Sequence, residues 1–339
     1  MTASAALPEL PPALLGRPQS HLLGPERPEL GPRQARRARR IEARDIAGQF
    51  RVRRFAGTAL HAEQLDHLRV AHLTDLHVGR AEPLAVHAEA VRLTNAGEPD
   101  LVVLTGDFVN HSVKHLDELQ AVIASFDAPV ACVLGNHDHW SGAEEVRRAL
   151  RRGGALVLDN AFTTLSFRGQ RLQLVGLDDA YTGQADRRAA TKGLRSDVAT
   201  LGLSHIGEQA DGLWAAGVPL VLSGHTHAGQ ITVARLHELT VGTLVGHRYI
   251  HGLYGSRRPD DARREGAVYV GAGVGSSAIT LRVGERAQRE VAFFELGRAP
   301  GAFPERIGEQ APHPGRKPSA RVERWRRSGA GRASGRRRR

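Results

Sequence analysis

Five apolar runs of strand length, four of them leading straight into a polar cluster, constrain this chain more than any other feature. LRVAHL (68–73), LVVL (101–104), VACVL (130–134), LQLVGL (172–177) and PLVLS (219–223) are continuous rather than alternating, the pattern of strands buried on both faces. Between the first three lie LAVHAEAVRLTNAG (84–97), closed by Gly97 and Pro99, and LDELQAVIASF (116–126), both with apolar residues at helical spacing. Strand, helix, strand, helix, strand predicts right-handed crossovers and a parallel sheet covered by helices. After residue 230, ITV, LTVG, AVYVGAGVG and EVAFFEL read as further strands, forming a second sheet packed on the first.

The polar clusters follow strands: TDLHVG (74–79), TGDFVN (105–110), GNHDHW (135–140), SHIGEQAD (204–211) and SGHTHAGQ (223–230). Ligands of open α/β sheets bind at the C-terminal ends of strands, so these five loops are expected to converge into one site. Asp75, His77, Asp107, Asn136, His205, His225 and His227 are oxygen and imidazole donors. Seven exceed what one tetrahedral ion uses. Shared between two ions, with one carboxylate bridging, they supply four protein ligands to each. Two divalent cations set against two carboxylates and a bridging hydroxide leave a residual positive charge that attracts phosphate. Thiolate sites and disulfides are excluded, because the only cysteine, Cys132, lies inside PVACVL and reads as a small buried hydrophobe.

The 339 residues, 41% of them hydrophobic, suffice for one large domain or two small ones. No apolar stretch approaches the roughly 20 residues of a membrane-spanning helix. RRARR (36–40) runs into IEARDIAGQF, too charged for a secretory signal, so a cytoplasmic location is expected. The net charge of +11 sits at the ends: residues 1–54 carry +6 and residues 301–339 carry +9, leaving −4 for the body. The ends are also rich in Pro, Gly and Ala. Residues 1–45 and 301–339 are therefore expected to be disordered tails around a folded domain at 46–300. The tails read as solvated extensions, or as a means of docking on nucleic acid or on the anionic inner membrane surface.

The blocks DLH, GDFVN, GNHD, SH and GHTH, in this order and at these separations, resemble the calcineurin-like metallophosphoesterase superfamily. GDFVN, GNHDHW and LVLSGHTHAGQI resemble most its bacterial phosphodiesterase-like branch, over about residues 50–297. The resemblance implies an α/β fold, a four-layer α/β/β/α sandwich of two packed mixed sheets flanked by helices. It implies that Asp75, His77 and His227 bind one divalent metal ion and Asn136, His205 and His225 a second, with Asp107 bridging. N/O ligands of this kind accept Mn, Fe, Zn or Co. A metal-activated hydroxide would attack phosphorus in line, while His137 stays uncoordinated, binds substrate and protonates the leaving group. Asp138 would orient the His137 ring.

Some residues depart from the family pattern. SHIGEQAD lacks the Pro-Asp pair that usually follows its His, Ala228 stands for a common Gly and Val233 for a common Pro. His111 and Arg80 read as surface residues, His139 has no assigned role and LDD (177–179) reads as a turn. GAGVG (271–275) has no GKS or GKT after it and reads as a tight strand connection rather than a nucleotide loop. Three functions fit: a phosphodiesterase acting on a small-molecule or lipid-linked phosphoester, a nuclease using the basic tails, and a scaffold without turnover. The acidic body disfavours the nuclease, whose groove should itself be basic. The full set of catalytic residue types disfavours the scaffold.

Overall fold

The computed structural model describes residues 46–80, 82–229, 238–258, 266–276, 282–305, 309–315, 320, 323 and 324. The expected tail at 1–45 and the expected strand ITV lie outside the described residues. The first sheet holds β1 (Phe50–Ala56), β2 (Arg69–Leu73), β3 (Leu101–Thr105), β4 (Val130–Val133), β5 (Leu156–Val157) and β12 (Arg289–Glu295). The second holds β6 (Ala161–Phe167), β7 (Gln170–Leu177), β8 (Ala199–Ser204), β9 (Leu220–Ser223), β10 (Gly252–Gly255) and β11 (Ala267–Val270). Their orders are β1-β12-β2-β3-β4-β5 and β10-β11-β9-β8-β7-β6. Both sheets are mixed: the β2–β5 and β7–β8–β9–β11 ladders are parallel, while β12 meets β2, and β6 meets β7, antiparallel.

Both faces of each sheet are covered, which explains the continuous apolar strands. Ala71, Leu73, Val102 and Leu104 face Val86, Leu119, Ile123, Val146 and Leu150 of the helices Leu84–Ala96, Leu116–Ala124 and Asn136–Arg152. The alternate residues Val70, Leu101 and Val103 meet Leu172, Leu174, Leu201, Leu203, Leu220 and Leu222 of the second sheet. On that sheet's outer face, Val175, Leu177, Val221 and Val268 lie under Ala190, Ala210 and Leu213 of two short helices. The result is four layers, α/β/β/α. Cys132 is buried and unpaired by disulfide. Among the described residues, no helix is long and apolar enough to cross a membrane.

Three expectations change. EVAFFEL does not join the second sheet: as β12 it inserts between β1 and β2 of the first. LTVG is not a strand but part of a wide helical turn, Glu238–Val245, whose Val241 carbonyl accepts the amides of both Gly246 and His247. The body also does not stop at residue 300. Glu305 and Glu309 take hydrogen bonds from Arg257 (2.8 and 2.9 Å), while the Gln310 and His313 amides donate to Leu253 and Arg248 carbonyls (3.0 and 2.8 Å).

Candidate metal centre

The five polar loops meet at one end of the two facing sheets, three carried by the C-terminal ends of β2, β3 and β4 and two by those of β8 and β9. DLHV and GDFV run side by side: amides of Asp75, His77 and Val78 donate to carbonyls of Gly106, Asp107 and Phe108 at 3.0, 2.9 and 2.8 Å. Glycines let the loops close. A Cβ on Gly135 would fall 2.3 Å from Asp107 Oδ1, and one on Gly224 would fall 1.9 Å from Thr74 Oγ1. Gly135 has an ordinary φ of −113°, so close approach rather than turn geometry calls for glycine there. Of the nine non-glycine residues with positive φ among the described residues, five are Asp75, His77, Asp107, His225 and His227. Left-handed backbone costs such residues about 1–3 kcal/mol each and gathers at functional sites.

Two sets of donor atoms result. His227 Nε2 lies 3.3 Å from Asp75 Oδ1 and 3.0 Å from His77 Nε2, which is 3.7 Å from Asp107 Oδ2. His205 Nε2 lies 3.3 Å from the same Asp107 oxygen, 3.1 Å from Asn136 Oδ1 and 3.2 Å from His225 Nδ1. Within each set, Asp75–His77–Asp107–His227 and Asp107–His205–His225, one donor atom per residue lies within 4.8 Å of the others. All seven expected residues are thus brought together, including His205 with its atypical flanking sequence.

The donor chemistry fits a divalent cation. Asp75 Oδ1 is buried without a hydrogen-bond partner. Imidazole nitrogens confront one another at 3.0 and 3.2 Å, where two neutral rings share at most one proton. A cation satisfies every one of these lone pairs. Burial, reinforced by neighbouring histidines, pushes His77 and His225 well below the usual imidazole range, so both favour the neutral, ligating form. Burial alone would raise Asp107, but His205 and His137 outweigh it and hold the carboxyl well below its usual range. His205 is raised in turn: burial opposes its charge, and Asp107 prevails. The His205 Nδ1–H donates to the Thr105 carbonyl at 2.7 Å, which aims Nε2 into the pocket.

Asp138 does not orient His137. Its Oδ1 accepts the Phe108 and Val109 amides (2.8 and 3.2 Å) and its Oδ2 the Gly135 amide (2.9 Å). It caps the helix Asn136–Arg152 and ties that helix to the GDFVN loop. Burial, then repulsion from Asp107, raises its carboxyl to about 7. The His137 ring is held instead by the Asn110 carbonyl, 2.5 Å from Nδ1. His139 pairs with Asp178 at 2.8 Å, and Asp178 also meets Arg147 at 3.2 Å, so the LDD turn anchors the helix. His111 is exposed, yet its ring centroid is 4.5 Å from that of His137.

Two supports were not foreseen from sequence. GAGVG braces the DLH loop, with Val274 and Gly275 amides donating to Thr74 and Asp75 carbonyls at 3.0 and 2.7 Å. His87 Nε2 donates to the carbonyl of Leu76, between two of the seven residues, at 2.8 Å. His87 falls within the helical run 84–97, and nothing in that run hinted at its partner.

A calcineurin-like phosphoesterase family model matches residues 68–229, a span containing all seven donors. Over that span, just under half of its length, the chain is similar to this family. Metallophosphoesterase YkuE of Bacillus subtilis (strain 168) is 27% identical over 237 residues, covering 68% of this chain and 79% of YkuE. Phosphodiesterase YaeI of Escherichia coli (strain K12) is 29% identical over 209 residues, covering 59% of this chain and 76% of YaeI. Among solved structures, TT1561 of Thermus thermophilus aligns over 61% of this chain and 90% of its own, at 13% identity and a TM-score of 0.40. The family match and a His/Asp cluster compatible with a divalent metal together point to a metal-dependent phosphoesterase.

Proposed function

We propose that the protein hydrolyses small-molecule or lipid-linked phosphodiesters at a two-metal centre. In this reading Asp75, His77 and His227 hold one ion, Asn136, His205 and His225 the other, and Asp107 both. The observation that carries it is the place of Asp107, whose Oδ2 lies 3.3 Å from His205 Nε2 in one donor set and 3.7 Å from His77 Nε2 in the other. When bound, two such ions activate water and stabilise charge on the phosphoryl oxygens. The proton chemistry belongs to His137. With Nδ1 donating to the Asn110 carbonyl, its Nε2 stands 4.0 Å from Asp107 Oδ2 and can give a proton to the departing alkoxide. Asp107 Oδ1 accepts the His137 amide at 2.9 Å, which fixes the base of that ring relative to the bridging carboxylate. The preference for diesters is supported by the likeness to phosphodiesterase YaeI.

The test is hydrolysis of bis(4-nitrophenyl) phosphate against 4-nitrophenyl phosphate by chelator-stripped protein reloaded with Mn, Fe, Zn or Co. Reloaded protein should cleave the diester faster than the monoester, and stripped protein neither. No diester cleavage with any of the four metals overturns the reading. Cleavage of single-stranded DNA that disappears on truncation after Gly315, which spares the docked segment, would install the nuclease reading instead.

A further inference from the structure

An unbroken arc of rings borders the pocket. From His137 the path runs to Trp140 (centroids 5.2 Å apart), across to Tyr181 (6.1 Å), then to His225 (4.8 Å) and His247 (5.1 Å). His111, 4.5 Å from His137, extends it at the other end. Trp140 lies in the first turns of the helix after β4, and Tyr181 in the loop after β7. The two therefore come from opposite sheets and span the mouth between His137 and one residue of the second donor set. Both are half-buried.

Charge steers any phosphate to this pocket but does not distinguish one ester alcohol from another. Stacked rings do: an aromatic face attracts a planar group strongly and a small alkyl group weakly. Trp140 adjoins His137, the proton donor to the leaving group. Tyr181 adjoins His225 on the far side, where the other ester substituent would lie. The paired rings match a diester bearing flat groups on the phosphorus.

We propose that Trp140 and Tyr181 form a stacking wall that selects phosphodiesters carrying a planar aromatic ring, from either an aryl alcohol or a nucleoside. The proposal rests on the diesterase reading for its catalytic test and stands apart from it in its binding test.

Three esters share one leaving group: bis(4-nitrophenyl) phosphate, thymidine 5′-(4-nitrophenyl phosphate) and methyl 4-nitrophenyl phosphate. Wild-type protein should show a higher kcat/KM, through lower KM, for ring-bearing esters than for the methyl ester. Preference for the aryl ester alone or the thymidine ester alone names the source of the ring. In Tyr181→Leu, which keeps apolar bulk, the ring-to-methyl ratio should fall about tenfold, within the range of one stacked base, and Tyr181→Phe should retain most of it. Trp140→Leu, beside the shared nitrophenyl group, should raise the KM of all three esters alike. An unchanged ratio in Tyr181→Leu overturns the proposal. If wild-type protein cleaves none of the three, the diesterase reading has failed. Calorimetric binding of phenyl phosphate against methyl phosphate to metal-loaded protein then decides: a phenyl preference lost in the Leu variants upholds the wall, and equal affinities in wild type overturn it.

Discussion

Two buried groups of histidines and carboxylates lie in this protein, and they behave in opposite ways. Between the sheets, Glu290 is matched by donors on both oxygens: Tyr269 Oη and the Ala272 amide on one, Arg53 and His251 on the other, with His251 at 3.2 Å. Nearby His72 meets Thr105 Oγ1 at 2.9 Å. In the metal pocket, acceptors face acceptors, with Asp75 Oδ1 unpartnered and imidazole nitrogens 3.0 Å apart. Burying a charge demands a partner. Glu290 has its partners within the chain, whereas the pocket leaves Asp75 Oδ1 without a hydrogen-bond donor and sets the His77 and His227 nitrogens against each other. Complementarity of the neighbours, rather than burial of His and Asp, separates a structural cluster from a site.

Substitutions that exchange these behaviours test the contrast. The largest effect is expected for Asp107→Asn, which takes the shared charge from the pocket: diester kcat/KM should fall by about 10⁴-fold or more, at least what a general acid supplies. His137→Ala should cost roughly 10²–10⁴-fold on a phenyl ester and visibly less on a nitrophenyl ester, whose leaving group needs no proton, with metal content retained. An equal loss on both esters would remove His137 from the proton role. Glu290→Gln should instead spare metal content per folded chain while lowering urea stability by roughly 3–5 kcal/mol, since the Arg53 charge is left buried alone. The smallest effect is in the acid limb. Burial would raise Glu290, but His251 and Arg53 outweigh it and hold the carboxyl at about 2, below the ordinary 4.5. A depressed folded pKa stabilises above the unfolded value, so this contribution is full above about pH 4.5 and is lost as pH falls toward 2. Urea midpoints followed down this window should show a shallower acid decline in Glu290→Gln than in wild type.

The site was more legible in the sequence than the framework around it. Asp75, His77, Asp107, Asn136, His205, His225 and His227 follow strand ends, and parallel strands point their C-terminal ends one way, so convergence followed from local pattern. The position of EVAFFEL did not. Its seven buried residues fit either sheet, and the choice depends on pairing with Phe50–Ala56, more than two hundred residues away. LTVG is too short for apolar content to separate strand from helical turn. Asp138 was misread for a related reason. Adjacency to His137 in the chain suggested contact, but at the start of a helix the third residue turns back to the preceding amides. The docking of Glu305 and Glu309 was hidden by the composition of the segment, because two carboxylates on Arg257 anchor it without any apolar run.

The most direct test of the account is metal stoichiometry with a readout of proximity. Stripped wild-type protein reconstituted with Mn²⁺ and freed of excess metal should hold two ions per chain and give the electron paramagnetic resonance signature of an exchange-coupled pair, absent in Asp107→Asn. One ion per chain, or two ions without coupling, would contradict a centre in which Asp107 is shared.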